Sequence, residues 1–115
     1  MANYMLDTTF AACAHPIRRG ILERLATGEM TVAEASRGFG VSKPSISRHL
    51  RVLEEAGTIV RVVDGRNHRL RINHDSLDQA AAWITDQRAI WERKFDAVEE
   101  FLAANSTNDE RGKDA

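Results

Sequence analysis

Four hydrogen-bond donors, Lys43, Ser47, Arg48 and Arg51, fall within nine residues of one another, interleaved with the apolar residues Ile46, Leu50 and Leu53. The apolar set recurs at i, i+4 and i+7, so in a helix it shares one face and the donors project elsewhere. Guanidinium and ammonium groups on a slim helix can donate to the acceptors on base edges and to phosphate oxygens, and a serine hydroxyl can serve either. Ser42 is a candidate N-cap, with Lys43 and Pro44 in the first turn, where proline costs no intrahelical hydrogen bond. The spacing therefore predicts a base-reading helix over about 42–56, with Ser42, Lys43, Pro44, Ser45, Ser47, Arg48 and Arg51 at the nucleic acid.

Other chemistries lack their residue patterns. Serine, histidine and aspartate are all present, but no nucleophile elbow or phosphate-binding glycine loop arranges them, and the Asp64-Gly65 pair reads as a turn. No enzyme activity and no cofactor are expected. His15, His49, His68 and His74 lie in different elements without the i, i+4 spacing of a helical metal pair, which argues against a metal site. His49 itself is either a buried, hydrogen-bonded residue or a contact. Cys13 is the only cysteine, so no intrachain disulfide can form; it reads as a small core residue, with a redox thiol as the alternative.

A chain of 115 residues, 43% hydrophobic and 29% charged, has the composition of one small globular domain. No apolar run approaches the roughly 20 residues of a membrane span, and no basic-then-apolar leader is recognisable, so no membrane partner and a cytoplasmic location are expected. The net charge of −1 is unevenly spread. Residues 42–73 hold seven Lys and Arg against three Asp and Glu, a net of +4, which leaves −5 for the remainder. A basic middle in an acidic chain is the footprint expected for a polyanion.

The elements that must position these donors follow from local signals. Residues 7–14 read as a short helix that stops before His15-Pro16, and Pro16 opens a second with Ile17, Ile21, Leu22 and Leu25 inward and Arg18, Arg19, Glu23 and Arg24 on the wet side. Thr31 and Glu34 have capping-box spacing and start a third helix, with Val32, Ala35 and Phe39 facing inward. A glycine-bearing turn then leads into the base-reading helix, which Gly57 closes. Two strands, within Thr58 to Asp64 and Asn67 to Asn73, are joined through Asp64-Gly65-Arg66; this basic hairpin reads as a wing over about 58–73, presenting Arg66, His68 and Arg69.

Residues 75–104 read as a long helix with more apolar surface than one small domain can bury. Trp83, Ile84, Ile90, Trp91, Phe95, Val98 and Phe101, with Phe10 from the first helix, are candidate contacts to a second copy of the chain. For the tryptophans the alternative is an aromatic ligand pocket. The expected fold is thus mostly α with a small β-hairpin, one winged helix-turn-helix domain over 1–104 flanked by dimerisation helices, and a disordered tail at 105–115.

This order of elements, with His15-Pro16-Ile17-Arg18-Arg19-Gly20-Ile21-Leu22, Ser47-Arg48-His49-Leu50-Arg51-Val52-Leu53-Glu54-Glu55-Ala56-Gly57 and Gly65-Arg66, resembles the ArsR family of winged-helix repressors over residues 7 to about 102. The resemblance implies a homodimer, joined by its first and last helices, that represses transcription from an inverted repeat in double-stranded DNA. It also implies that Lys43, Pro44, Ser47 and Arg48 meet bases and that Arg66 meets the backbone. Metal-responsive members carry a Cys-x-Cys motif near the third helix or Asp and His pairs on the last one. Neither is present, so the chain resembles the subgroup without metal ligands, and the inducer stays unknown. The rival from another class is a winged-helix module that binds protein and has lost DNA, although such modules shed the basic face that persists here.

Overall fold

The computed structural model describes the backbone of residues 4–113 and the side chains of residues 4–106. The elements follow in the order α1 (Tyr4–Ala12), α2 (Pro16–Leu25), β1 (Met30–Thr31), α3 (Val32–Ser36), α4 (Lys43–Glu55), β2 (Ile59–Asp64), β3 (Asn67–Ile72) and α5 (His74–Lys113). The chain is mostly helical, with a winged helix-turn-helix in the expected order. The helix α1 begins three residues before Asp7, and nothing in Tyr4-Met5-Leu6 breaks a helix.

Caps set most of the boundaries. His15 precedes α2, and its Nδ1 accepts from the Ile17 N–H at 3.1 Å. Thr31 and Glu34 form the reciprocal capping box of α3. At the end of α4, Gly57 adopts φ +73°, and the Gly57 and Thr58 N–H groups return to the Glu54 and Leu53 carbonyls at 3.0 and 3.1 Å. Those are the two bonds of a Schellman motif, which needs a left-handed residue after the C-cap.

A third strand joins the expected hairpin. The sheet order is β1-β3-β2, all antiparallel, with Met30 opposite Leu70 and Ile59 opposite Ile72. Two residues are too few to show alternation in sequence, so β1 is defined only by the partner it finds. Asp64 pairs with Asn67 across a two-residue loop whose first residue, Gly65, has φ +61°. No non-glycine residue among those described has positive φ, which fits a type II′ turn with glycine leading.

The core gathers Ile21, Leu22 and Leu25 from α2, Ala35 from α3, Ile46, Leu50 and Leu53 from α4, and Ile59, Leu70 and Ile72 from the sheet. Each large aliphatic side chain buried there contributes about 1.5–3 kcal/mol relative to exposure. Because Leu70 and Ile72 point inward, Arg71 on the alternate face is exposed and Arg69 half-buried.

The chain divides into two compact units, Met1–Ala80 and Ala81–Ala115, where one domain over 1–104 was expected. Within the first, the opening turns of α5 seat Ser76 and Ala80 in the interior and pack Leu77 against the core. Helix is also continuous to Lys113, where a disordered tail from residue 105 was expected. Extending an existing helix costs far less than nucleating one, so weak formers such as Asn105 and Ser106 are carried along. Asp114 and Ala115 lie outside the described residues.

Candidate nucleic-acid interface

The helix α4 is two-faced. Ile46, Leu50 and Leu53 are buried, whereas Ser42, Lys43, Pro44, Ser47, Arg48 and Arg51 are all exposed and Ser45 is half-buried. The Ser42 hydroxyl accepts from the Ser45 N–H at 3.3 Å, satisfying one of the open donors of the first turn. The residues expected at the nucleic acid therefore lie along the cap and first three turns of α4, all of them exposed except the half-buried Ser45.

What holds this helix is less visible in the sequence. Arg24, expected on the wet side of α2, reaches across to the C-terminus of α3, where its Nη1 donates to the Glu34 and Ala35 carbonyls at 3.4 and 3.3 Å. Its guanidinium also lies 4.1 Å from the centre of the Phe39 ring, in the turn between α3 and α4. Gly20 of α2 makes room for that ring: a Cβ there would stand 2.7 Å from a Phe39 ring carbon. One arginine, one phenylalanine and one glycine thus fix the turn that aims α4.

Arg18 departs from expectation in the same way. Its Nε donates to the Ala12 carbonyl at 2.7 Å and its Nη2 to that of Ala11 at 3.3 Å, closing the end of α1. Nη1 lies 3.2 Å from His49 Nδ1. Arginine can only donate, so His49 accepts at Nδ1 and carries its proton on Nε2. Burial, with the neighbouring His15, Arg18 and Arg48, lowers the His49 pKa and favours the neutral ring. His49 is therefore the half-buried, hydrogen-bonded residue of the two alternatives. Its ring centre is 4.3 Å from that of His15, yet among the described residues no group of three His, Cys, Asp or Glu is placed to hold a metal ion.

The wing is tied to α4 through side chains. Arg61 of β2 pairs with Glu54 of α4 and donates to His68 Nδ1 of β3 at 3.2 Å. This removes Arg61 from the free cations and orients the His68 ring, which stays exposed. Arg69 sits opposite Thr31, away from the tip, and lies 3.8 Å from the Glu29 carboxylate, so the wing contact expected of it is partly engaged within the chain. Arg66 is exposed at the tip, flanked by the exposed Asp64. Of the seven cations in residues 42–73, Lys43, Arg48, Arg51, Arg66 and Arg71 are exposed and form no ion pair among the described residues.

Cys13 is half-buried, and burial raises its thiol pKa against the lowering influence of Arg19 and Arg18. Phe10 on α1 is half-buried. Within the second unit, Trp83, Ile84, Ile90, Trp91, Phe95, Val98 and Phe101 are each 38 to 64% exposed, and the Trp91 and Phe95 rings lie 5.8 Å apart. Among the described residues, no helix is long and apolar enough to cross a membrane.

Residues 14–63 match a family described as a helix-turn-helix domain. The transcriptional repressor SdpR of Bacillus subtilis is 34% identical over 79 residues, which span 69% of this chain and 88% of that protein. The HTH-type transcriptional regulator Rv2034 of Mycobacterium tuberculosis is 36% identical over 87 residues, 76% of this chain and 78% of its own length. Among solved structures, that of an ArsR family transcriptional regulator superposes with a TM-score of 0.72 at 34% identity, covering 76% of this chain and 97% of the other.

Proposed function

Because the chain belongs to the ArsR family of transcriptional regulators, we propose that it is a homodimeric repressor whose α4 reads an inverted-repeat operator in double-stranded DNA. One observation carries this reading: the donors Lys43, Ser47, Arg48 and Arg51 are exposed on a capped helix whose opposite face is locked into the core.

Arg48 and Lys43 donate to guanine acceptors or phosphate, and Ser47 to a base or the backbone. Pro44 and Ser45 keep the first turn slim enough to enter a major groove. Arg51 and the wing residue Arg66 neutralise phosphates and set register, while His68 offers Nε2 to the backbone and Arg69 plays a lesser part through its pairing with Glu29. Two protomers joined through Phe10 and the apolar face of α5 would set their recognition helices ~34 Å apart, one turn of duplex. Repression follows from occupying the promoter, and the reading requires no membrane, cofactor or catalytic step.

Fragments of the organism's genomic DNA selected by the purified full chain test this reading. The expected product is a two-fold-symmetric consensus with half-sites about one turn apart. A consensus without symmetry removes the paired-helix arrangement, and no enrichment removes operator binding.

A further inference from the structure

The helices α3 and α4 leave a groove of about 590 Å³ between them, within the roughly 300–1,000 Å³ usual for small-molecule sites. Val32, Val41, Ile46 and Leu50 line it with aliphatic carbon, and among the described residues no aromatic ring does. Val41 remains 40% exposed although its neighbours Ile46 and Leu50 are buried, so apolar surface is left uncovered beside the core.

Two further features give the groove polarity. Arg37 and Lys43 line it, and neither is held in an ion pair among the described residues. Glu34 is the carboxylate that Arg37 acts on, but it is engaged by the Thr31 hydroxyl at 2.8 Å and does not line the groove. The Ser36 hydroxyl oxygen is shielded from solvent and has no hydrogen-bond partner, although Ser36 is a lining residue. A buried hydroxyl without a partner is uncommon, because burial removes the water that would otherwise satisfy it.

We propose that the α3–α4 groove binds a small amphipathic carboxylate of the medium-chain aliphatic class. The chain lies along Val32, Val41, Ile46 and Leu50. The carboxylate sits with Arg37 and Lys43 at the cationic side of the groove. Lys43 and Ser47 belong both to this groove and to the exposed face of α4, so ligand and duplex exclude one another. That consequence, unlike the site itself, rests on the DNA-binding reading.

Decanoate below its micellar concentration is the probe, titrated into the full chain while the methyl resonances of Val32, Val41, Ile46 and Leu50 are followed. The expected result is a saturable shift of those methyls, with decanol and decyltrimethylammonium binding at least about tenfold more weakly. Arg37→Gln and Val41→Glu change surface residues outside the DNA-reading set, and each should weaken decanoate about tenfold while leaving the methyl spectrum of the free protein folded. No saturable shift, equal binding of the cationic probe, or full affinity in both variants overturns the site. Saturating decanoate should also displace a bound operator duplex, and coexistence of the two overturns the exclusion. If the ligand-free chain binds no duplex at all, the DNA reading fails, whereas the methyl titration still decides the groove.

Discussion

His49 shows how a single ring joins the recognition helix to the rest of the fold. It stands on α4 with its Nδ1 accepting from Arg18, the residue that also closes the end of α1. Sequence leaves its role open between core and contact because Arg18 and His49 are 31 residues apart and no local pattern links them. Burial first, then His15, Arg18 and Arg48, lowers its pKa below the ordinary value of about 6.5. Below that ordinary value the unfolded chain binds more protons than the folded one, until the pH reaches the lowered folded value. The His49 contribution to stability is therefore complete above about pH 6.5 and is lost as the pH falls from there through the folded value. Denaturant midpoints of the wild type and His49→Gln should converge as the pH is lowered from about 7.5 to about 5.5. Parallel curves would show that the ring's proton is uncoupled from folding.

Among the elements, α4 was legible almost to the residue. Its apolar period, the Ser42 cap, the early Pro44 and the closing Gly57 are all local signals, and each acts within one or two turns. The hairpin was legible for the same reason, since Gly65 dictates the turn. By contrast, β1 exists only by pairing with Leu70 and Arg69, and the aim of α4 depends on Arg24 and Gly20 meeting Phe39 from another helix. Helical period placed Arg18 and Arg24 on the wet side, but their long arms bend back to carbonyls at the ends of α1 and α3. A cap can be tested where no side chain confuses the outcome. Gly57 has φ +73° and, among the described residues, nothing within 4 Å of a hypothetical Cβ, so Gly57→Ala strains only the backbone. A loss of about 1 kcal/mol is expected, read as a lower denaturant midpoint at unchanged slope. An unchanged midpoint would mean that the left-handed C-cap is not needed to end α4.

For the whole molecule, composition and charge pattern indicated a basic reading unit and a surplus of apolar helix, but not how the chain divides. The first unit runs to Ala80, and from Ala81 onward α5 is a unit of its own. On that unit Trp91, Phe95 and Val98 are 61, 60 and 53% exposed. An apolar face of this kind on a helix calls for a partner, and a second copy supplies a matching face by symmetry. Replacing Trp91 and Phe95 together with lysine should shift the chain from dimer to monomer in sedimentation at micromolar concentration while the helical signal of the first unit persists. A dimer that survives both changes would place the interface elsewhere.

If the exposed cations of α4 and the wing hold a duplex, a binding titration of the full chain must depend on salt. Affinity for the selected operator should fall steeply and linearly on logarithmic axes, by about 0.9 in slope for each phosphate neutralised. Arg48→Ala in the same titration should cost roughly 1–3 kcal/mol at the operator and far less on random DNA, narrowing the difference between the two. Salt-independent binding, or an Arg48→Ala variant with unchanged affinity and discrimination, would mean that these cations do not read DNA.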